Sequence, residues 1–532
     1  MADPQAIVKR LSELKALRQP HEQIWLDCFD HSFPVRGSGL NSGTPYTADD
    51  IARKKAELVD DTATDAGLVL AASLAGGMTP ANARWFSLQV EEADDTGEQW
   101  LDEAADTVWR AIHNSGFDAP GLECNLDIVG AGWCALYIEE DQENNALRFE
   151  QWPNGQCYIA SSRPGDKVDT VFREYCIPAE QAYSEYGDAL SEDSQKLAKE
   201  KPDAKIDLVR AIYPRSAWME DAKYAKNARF ASCTVEVKKR KLLRESGYFE
   251  FPVAVPRWRL IPGSTYAVGP MLDALPSARR LNAIGRLELA ALEIAVSGMW
   301  IAENDGVLNP TTVRVGPRKV IAANSVESMK ELRSGSDFNV SFTKSEQLRA
   351  AIRKILMADQ LQPQDGPAMT ATEVHARMAL IRQLLGPNYG RLQSEYLQPI
   401  VFRAFGIMLR AGALTPPPES LQRKLLQVKY VSPLARAARL EDVTAMDQFE
   451  TVLATQASFD QTALDVYDWD EARHERAELM GVPMKLLRTK ADLENVRKDK
   501  ADQQAAAQAQ QMKQMAATTM IDAAGKQMAN AA

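Results

Sequence analysis

Gly269-Pro270-Met271-Leu272-Asp273-Ala274-Leu275-Pro276 opens the part of the chain, residues 269–410, on which the reading of the fold turns. Pro270 suits an early helical position, where its missing N–H costs no hydrogen bond. From Leu272 to Ser297 the residues are mostly Leu, Ala, Arg and Glu, good helix formers, so a long helix is expected. Pro276 then lies in its first turn, or the helix begins a few residues later. Ser297-Gly298 supplies the stop.

A second helix is expected from Thr343-Lys344-Ser345-Glu346, whose T-x-x-E spacing lets hydroxyl and carboxylate satisfy orphan backbone donors reciprocally. Leu348, Ile352 and Ile355 then share a face. Gln362-Pro363-Gln364-Asp365-Gly366-Pro367 cannot continue it and reads as a loop. Thr370-Ala371-Thr372-Glu373 repeats the capping spacing, with Val374, Met378, Ile381 and Leu385 following at helical intervals. Gly386-Pro387 should kink this third helix, and Tyr389, Leu392, Tyr396 and Phe405 carry its apolar side onward to Ala411-Gly412. Between the first two helices, Met299 to Ala302, Thr311 to Val315 and Lys319 to Ala322 read as short strands of a small α/β element carried on two stalks.

Outward from this centre, residues 5–19 read as an amphipathic helix through Ile7, Leu11, Leu14 and Leu17, which His21 to Asp30 extends, and Gly37 to Gly43 as a loop. A second N-terminal helix is expected over about 50–76, and a tight corner at Met78 to Phe86 delivers Trp85-Phe86 into a strand. The acidic run Glu91 to Glu103 suits the start of a helix that buries Trp100, Trp109 and Ile112. From about residue 129 the period shifts toward two. Ala135 to Glu139, Leu147 to Trp152, Val171 to Cys176, Ile206 to Tyr213, Ser232 to Lys238 and Phe249 to Leu260 read as strands, interrupted by a polar helical insert at about 178–200. The N-terminal 260 or so residues thus form an α+β domain of mostly antiparallel strands. Beyond Pro416-Pro417-Pro418 the chain returns as Val428 to Val431 and turns helical from Pro433. From Ala501 the composition falls to Ala, Gln, Met and Lys, which fits a helix or a disordered tail.

With 532 residues, 45% hydrophobic and 25% charged, the composition is that of a soluble protein of several domains. The formal charge of −11 argues against general attraction to nucleic acid. Six cysteines without C-x-x-C spacing read as reduced, mostly buried thiols of a cytoplasmically folded chain. Met1-Ala2-Asp3-Pro4 has no charged-then-apolar signal pattern, and no window reaches the roughly 18 apolar residues of a membrane span.

The sequence offers no catalytic constellation and no cofactor or metal motif. Gly37 to Gly43 has neither the spacing nor the lysine of a phosphate loop. His474-Glu475 lacks the second histidine of a zinc helix. Asp465, Asp468 and Asp470 could hold a hard cation, but Asp470 as a helix cap is the stronger reading. Charge distribution says more. Residues 270–360 hold 12 Lys/Arg and 10 Asp/Glu, which leaves −13 for the rest, so the helix–domain–helix segment is the relatively basic part of an acidic protein. Arg318, Lys319, Lys330, Arg333, Lys344, Arg349, Arg353 and Lys354 cluster toward its far end. They are either solvated faces and intersubunit ion pairs or contacts to a polyanion.

Several separated motifs occur in a characteristic order: Leu74-Ala75-Gly76-Gly77-Met78-Thr79-Pro80 with Arg84-Trp85-Phe86, Pro256-Arg257-Trp258, Tyr266-Ala267-Val268-Gly269-Pro270, Asp273-Ala274-Leu275-Pro276, Met369 to Val374, Leu385-Gly386-Pro387, and Tyr430 to Ala435. In these the chain resembles the head-to-tail connector (portal) family of short-tailed, double-stranded DNA bacteriophages, from about Ile7 to Leu440. The resemblance implies an α+β, mainly helical portal fold. It assigns residues 1–268 to a wing, 269–298 to a first stem helix, 299–343 to a clip and 344–358 to a second stem helix. Residues 359–370 become a tunnel loop, 371–434 the kinked helix and wing return, and 435–532 a crown with a C-terminal helical barrel or a disordered tail.

It also implies a ring of twelve subunits at one capsid vertex, without enzymatic activity. DNA would be driven inward through it by the terminase and later ejected, with capsid, scaffolding and tail adaptor or tube proteins as neighbours and assembly in the host cytoplasm. Gln360, Gln362, Gln364 and Asp365 become the DNA-facing candidates of the tunnel loop. Twelve copies of a chain of formal charge −11 would carry −132, which would discourage DNA from adhering to the walls. Two other roles compete. A tail adaptor or minor capsid protein would not need two stalks and a capped, kinked helix, and a DNA-processing enzyme would hydrolyse ATP or cut DNA unaided.

Overall fold

A computed structural model describes residues 3–40, 45–82, 84–90, 95–141, 146–216, 224–297, 300–302, 329–331, 338–361, 388–421, 426–430, 433–457, 466–480 and 496–500, with single positions 144, 218, 386, 493 and 503. It is an α+β protein of helices and small antiparallel sheets. The helices are α1 (Pro4–Asp30), α2 (Ala48–Glu57), α3 (Thr62–Met78), α4 (Asp95–Asn114), α5 (Asp118–Gly130), α6 (Ala179–Tyr186), α7 (Glu192–Glu200), α8 (Met271–Ser297), α9 (Phe338–Ile355), α10 (Ala358–Leu361), α11 (Gln398–Arg410), α12 (Pro433–Ala457) and α13 (Trp469–Met480). The strands are β1 (Phe86–Val90), β2 (Ala135–Asp141), β3 (Ala146–Trp152), β4 (Cys157–Ala160), β5 (Thr170–Pro178), β6 (Lys205–Pro214), β7 (Phe230–Glu236), β8 (Lys241–Tyr248), β9 (Val253–Ala254), β10 (Arg259–Leu260), β11 (Ala267–Val268), β12 (Trp300–Ala302), β13 (Met329–Glu331) and β14 (Leu426–Tyr430).

The chain divides into two compact units, one of Met1–Ala83 with Val108–Ala413, the other of Arg84–Thr107 with Leu414–Ala532. In the larger unit a five-stranded antiparallel sheet runs β4-β5-β6-β7-β8, and a three-stranded one runs β3-β2-β9. Period-two alternation sends Phe172, Val209, Ala211, Ala231, Cys233 and Val235 to one face, where Ile7, Leu11 and Leu14 of α1 cover them. Asp3 starts α1 by accepting the Gln5 N–H at 2.9 Å. A second core gathers Trp25, Trp133 and Tyr266, with ring centroids 5.2–5.6 Å apart. Beside it Gly132 has φ +86°, and a Cβ there would lie 2.0 Å from the Val268 carbonyl carbon, so only glycine lets the two backbones meet.

Two buried arginines hold segments that are distant in sequence. Arg18 is 2% exposed; it pairs with Glu22 at 2.6 Å, donates to the carbonyls of Asn154, Gly155 and Cys157, and stacks on the Tyr158 ring. Arg257, also 2% exposed, grips Glu395 with two donors at 2.9 and 2.6 Å and donates to the carbonyls of Asp166 and Thr265. Every guanidinium nitrogen donates at least one hydrogen bond, Arg18 Nη2 to the Tyr158 hydroxyl, which makes burial of the charge tolerable. Glu395 lies in a π turn, Gln393–Leu397, directly ahead of α11. Pro399 explains the turn: its ring would clash with a carbonyl one α-turn back, and the wider winding gives it room.

In the smaller unit β1 pairs antiparallel with β14, from Phe86↔Tyr430 to Val90↔Leu426. Trp100 donates its indole N–H to Thr415, at 2.9 Å to the hydroxyl. Arg476 of α13 pairs with Asp447 at 3.1 Å and with Glu450, both on α12.

Four expectations need correction. The helix expected over 50–76 is two helices, because Asn282 Oδ1 captures the N–H groups of Val59 and Asp60, while Asp60 caps Thr62. The strand expected over 249–260 is instead β8, just before it; Pro252 and Pro256 leave only β9 and β10 in that stretch. The helix of Thr343 begins earlier, at Phe338, with Ser341 and Ser345 donating to Glu288 of α8 and Glu346 pairing with Arg349 rather than capping. Asp468, not Asp470, caps α13, accepting from the Asp470 and Glu471 N–H groups. In addition, Trp100 is only half-buried, and the α4 core face is Leu101, Ala104, Ala105, Val108 and Ile112. All six cysteines are free, and Cys176 alone is exposed.

Candidate functional site: the α8–α9 stalk and its loop

The first half of α8 is core: Met271, Ala274, Leu275, Ala278 and Leu281 are buried. Its middle is bolted to the segment between α2 and α3. Asn282 accepts from Val59 and Asp60 at 3.0 and 3.1 Å, and Arg286 donates to the Glu57 carbonyl at 2.8 Å. At Gly285 a Cβ would meet Val59 at 2.9 Å, so the small residue permits this approach. Arg349 of α9 reaches the same segment, pairing with Asp60 at 2.9 Å. Burial alone would raise the Asp60 carboxyl, but hydrogen bonds from Thr62 and Arg349 hold it below its ordinary value.

Beyond this root the character changes. Leu287, Leu289 and Leu292 of α8 are 71%, 55% and 57% exposed, and Phe342 of α9 is 65% exposed. Runs of exposed large apolar side chains on a helix mark a contact surface. On the inner side of α9, Ser345, Ile352 and Leu356 are buried, with Leu348 partly so. Just past the end of α9, in the turn before α10, Met357 has a φ of +59°, in the left-handed region that favours glycine. No local signal announces that turn in a methionine. Backbone held there costs roughly 1–3 kcal/mol and marks a junction fixed by its surroundings. α10 follows, where the expected loop begins.

The candidate residues separate accordingly. Lys344, Arg353 and Lys354 are exposed on α9, Lys344 donating to Gln347 at 3.2 Å. Arg349 is drawn inward by Asp60 and Glu346. Lys330 lies in β13, opposite Ile301 of β12, within the element expected between the stalks. Gln360 lies in α10. Gly386 is helical and exposed, and a Cβ there would meet nothing within 4 Å among the described residues. Arg318, Lys319, Arg333, Gln362, Gln364, Asp365 and Pro387 lie outside the described residues, as do the strands expected at 311–315 and 319–322 and the helix expected from Thr370 to Leu385. Among the described residues no group of three or more His, Cys, Asp or Glu is placed to hold a metal, and no helix is long and apolar enough to cross a membrane.

Residues 4–487 match the family described as bacteriophage head to tail connecting protein. The portal protein of Salmonella phage epsilon15 is 26% identical over 97% of this chain and 94% of its own length. A protein of Bordetella phage BPP-1 named probable portal protein is 27% identical over 94% and 92%. Solved chains from gene transfer agent particles are more distant. One from a neck computed with C12 symmetry covers 82% of this chain and 94% of its own at 14% identity and a TM-score of 0.34. One from a native virion covers 76% and 90% at 12% identity and a TM-score of 0.33.

Proposed function

The chain belongs to the bacteriophage head to tail connecting protein family and is a phage portal protein, and from this premise we propose how its segments divide the work. Copies of the chain, twelve in number, close into a ring at one capsid vertex. Double-stranded DNA passes inward through that ring, driven by the terminase, and outward at ejection. Capsid and scaffolding proteins surround it, a tail adaptor docks below, and assembly takes place in the host cytoplasm. The role is structural, without catalysis.

The exposed leucines of α8, Leu287, Leu289 and Leu292, set on a root locked by Asn282, Arg286 and Arg349, carry this reading. A side chain such as leucine contributes about 1.5–3 kcal/mol when fully buried, and neighbouring copies in a ring offer the cover a lone chain lacks. In this reading residues 1–268 form the wing, 269–298 and 344–358 the stem, and 299–343 the clip. Residues 359–370 form the tunnel loop, 371–434 the helix bent at Gly386-Pro387 with its return, and 435–532 the crown. The exposed Lys344, Arg353 and Lys354, with Arg318, Lys319, Lys330 and Arg333, form a basic collar on the stem and clip.

Gln360, Gln362, Gln364 and Asp365 face the passing DNA. Neutral hydrogen bonds replaceable by water are worth about 1 kcal/mol or less each, a grip weak enough for a moving strand. Deleting Gln362 to Asp365 leaves rings intact under negative-stain microscopy and lowers the DNA retained per head. Failure of ring formation makes the loop structural, and unchanged DNA content removes it from the channel.

A further inference from the structure

The face of the five-stranded sheet turned away from α1 carries an unusual row. Arg173 of β5 is the cross-strand partner of Arg210 of β6, which partners Thr234 of β7, which partners Arg244 of β8. Strands lie about 4.8 Å apart, and like charges directly opposite one another destabilise a sheet. Arg173 is neutralised by Glu150 at 2.7 Å and stacks on the Trp152 ring. Arg210 is not so served. It donates to two neutral phenols, Tyr137 at 2.6 Å and Tyr248 at 2.5 Å, and its nearest carboxylate, Glu139, stands 3.6 Å away. Arg244, and Arg148 on β3, are exposed and make no hydrogen bond or ion pair among the described residues.

These groups line one cavity of about 940 Å³, near the upper end of the roughly 300–1,000 Å³ usual for ligand pockets. Ser232 and Thr234, each only 5% exposed, line it as well. The cavity therefore offers two guanidinium groups, Arg148 and Arg244, without an ion pair among the described residues, beside Arg210 and two hydroxyls on a rigid sheet.

We propose that this cavity binds an extended acidic segment of a protein partner, with carboxylates seated on Arg210, Arg244 and Arg148. A guanidinium meets a carboxylate with two parallel hydrogen bonds, a geometry that a fixed row of arginines can present repeatedly. Glu139, Glu140, Asp141, Glu150 and Glu185 also line the cavity, Glu150 engaged by Arg173, and this decides against nucleic acid. Duplex DNA carries a charge every 1.7 Å or so and would be repelled by them. An extended peptide advances about 3.3 Å per residue, so its same-side carboxylates are widely spaced, and its backbone N–H groups suit those glutamates. None of the residues lining the cavity belongs to the segment 359–370, so failure of the proposal leaves the portal role untouched.

Calorimetric titration of the full chain with a hexa-aspartate peptide at low salt tests it, with inorganic phosphate and a short DNA duplex as competing probes. The wild type binds the peptide. Arg148→Ala with Arg244→Ala weakens binding roughly tenfold or more at an unchanged melting temperature. Arg244→Lys alone retains part of the affinity, and Arg163→Ala, an exposed arginine that does not line the cavity, changes nothing. No peptide binding by the wild type overturns the proposal, as does equal weakening in the Arg163 variant. Tighter binding of phosphate or duplex, lost in the double variant, overturns the choice of partner.

Discussion

The body around Arg257 and the outer half of α8 handle costly groups in opposite ways. In the body a charge only 2% exposed is given a carboxylate and two carbonyls. On α8 three leucines are left facing solvent, within one helix of that same unit. The first arrangement is complete within one chain, whereas the second is finished only by another molecule. Stability and assembly should therefore be separable by mutation.

Arg257→Ala gives the largest effect on the side of stability. It leaves Glu395 buried without its partner, and breaking such a pair costs about 3–5 kcal/mol. Urea unfolding of the dissociated chain should show an unfolding free energy lower by that amount, with the midpoint shifted down accordingly. A loss under 1 kcal/mol would mean that water reaches Glu395 and the body is less complete than described.

Leu287→Ser with Leu292→Ser should do the reverse. Both positions are exposed, so the isolated chain changes by about 0.5 kcal/mol or less. Sedimentation velocity should nevertheless show rings replaced by smaller species, since burial of each leucine against a neighbour contributes about 1.5–3 kcal/mol. Normal rings, or a destabilised monomer, would erase the distinction between the two regions.

The smallest effect concerns pH. Burial alone would raise the Glu250 carboxyl, but Arg410 by hydrogen bond and charge, and then Arg403, hold it below the usual range. A carboxyl depressed on folding stabilises the protein above its unfolded value of about 4.3, and that contribution disappears as pH falls through the folded value. Glu250→Gln should flatten the acid limb of the stability curve below about pH 4 and cost about 1 kcal/mol at neutral pH, the side chain being 30% exposed. An unaltered acid limb would assign acid sensitivity to other carboxylates.

Helices with strong local signals were legible in the sequence. α8 starts after Gly269-Pro270 and runs to Ser297 because its composition favours helix at nearly every position. Most strands followed from alternation. β8 was missed because Lys241 to Tyr248 mixes charged and apolar residues without a clean period, while neighbouring Phe249, Phe251, Val253 and Val255 alternate convincingly between prolines that forbid a ladder. The break between α2 and α3 depends on Asn282, more than two hundred residues away. Arg18 and Arg257 were invisible for the same reason: a lone arginine on an apolar face declares neither its partner nor its burial. At the stalk the charge of Arg349 could be read, but its capture by Asp60 could not.

The π turn at Gln393–Leu397 sets the rotational phase of α11. An α-helix advances about 100° per residue, so the wider turn offsets the α11 register from that of the helical residues 388–392 directly ahead of it. Ile400, Val401, Ala404 and Ile407 are buried with that offset in place. A one-residue deletion within the turn would restore ordinary winding, yet it would swing that whole apolar stripe by about 100° and carry Glu395 off Arg257. The segment thus tolerates substitution far better than a change in residue count, so length variation among relatives should be excluded between Gln393 and Arg410 and accumulate elsewhere.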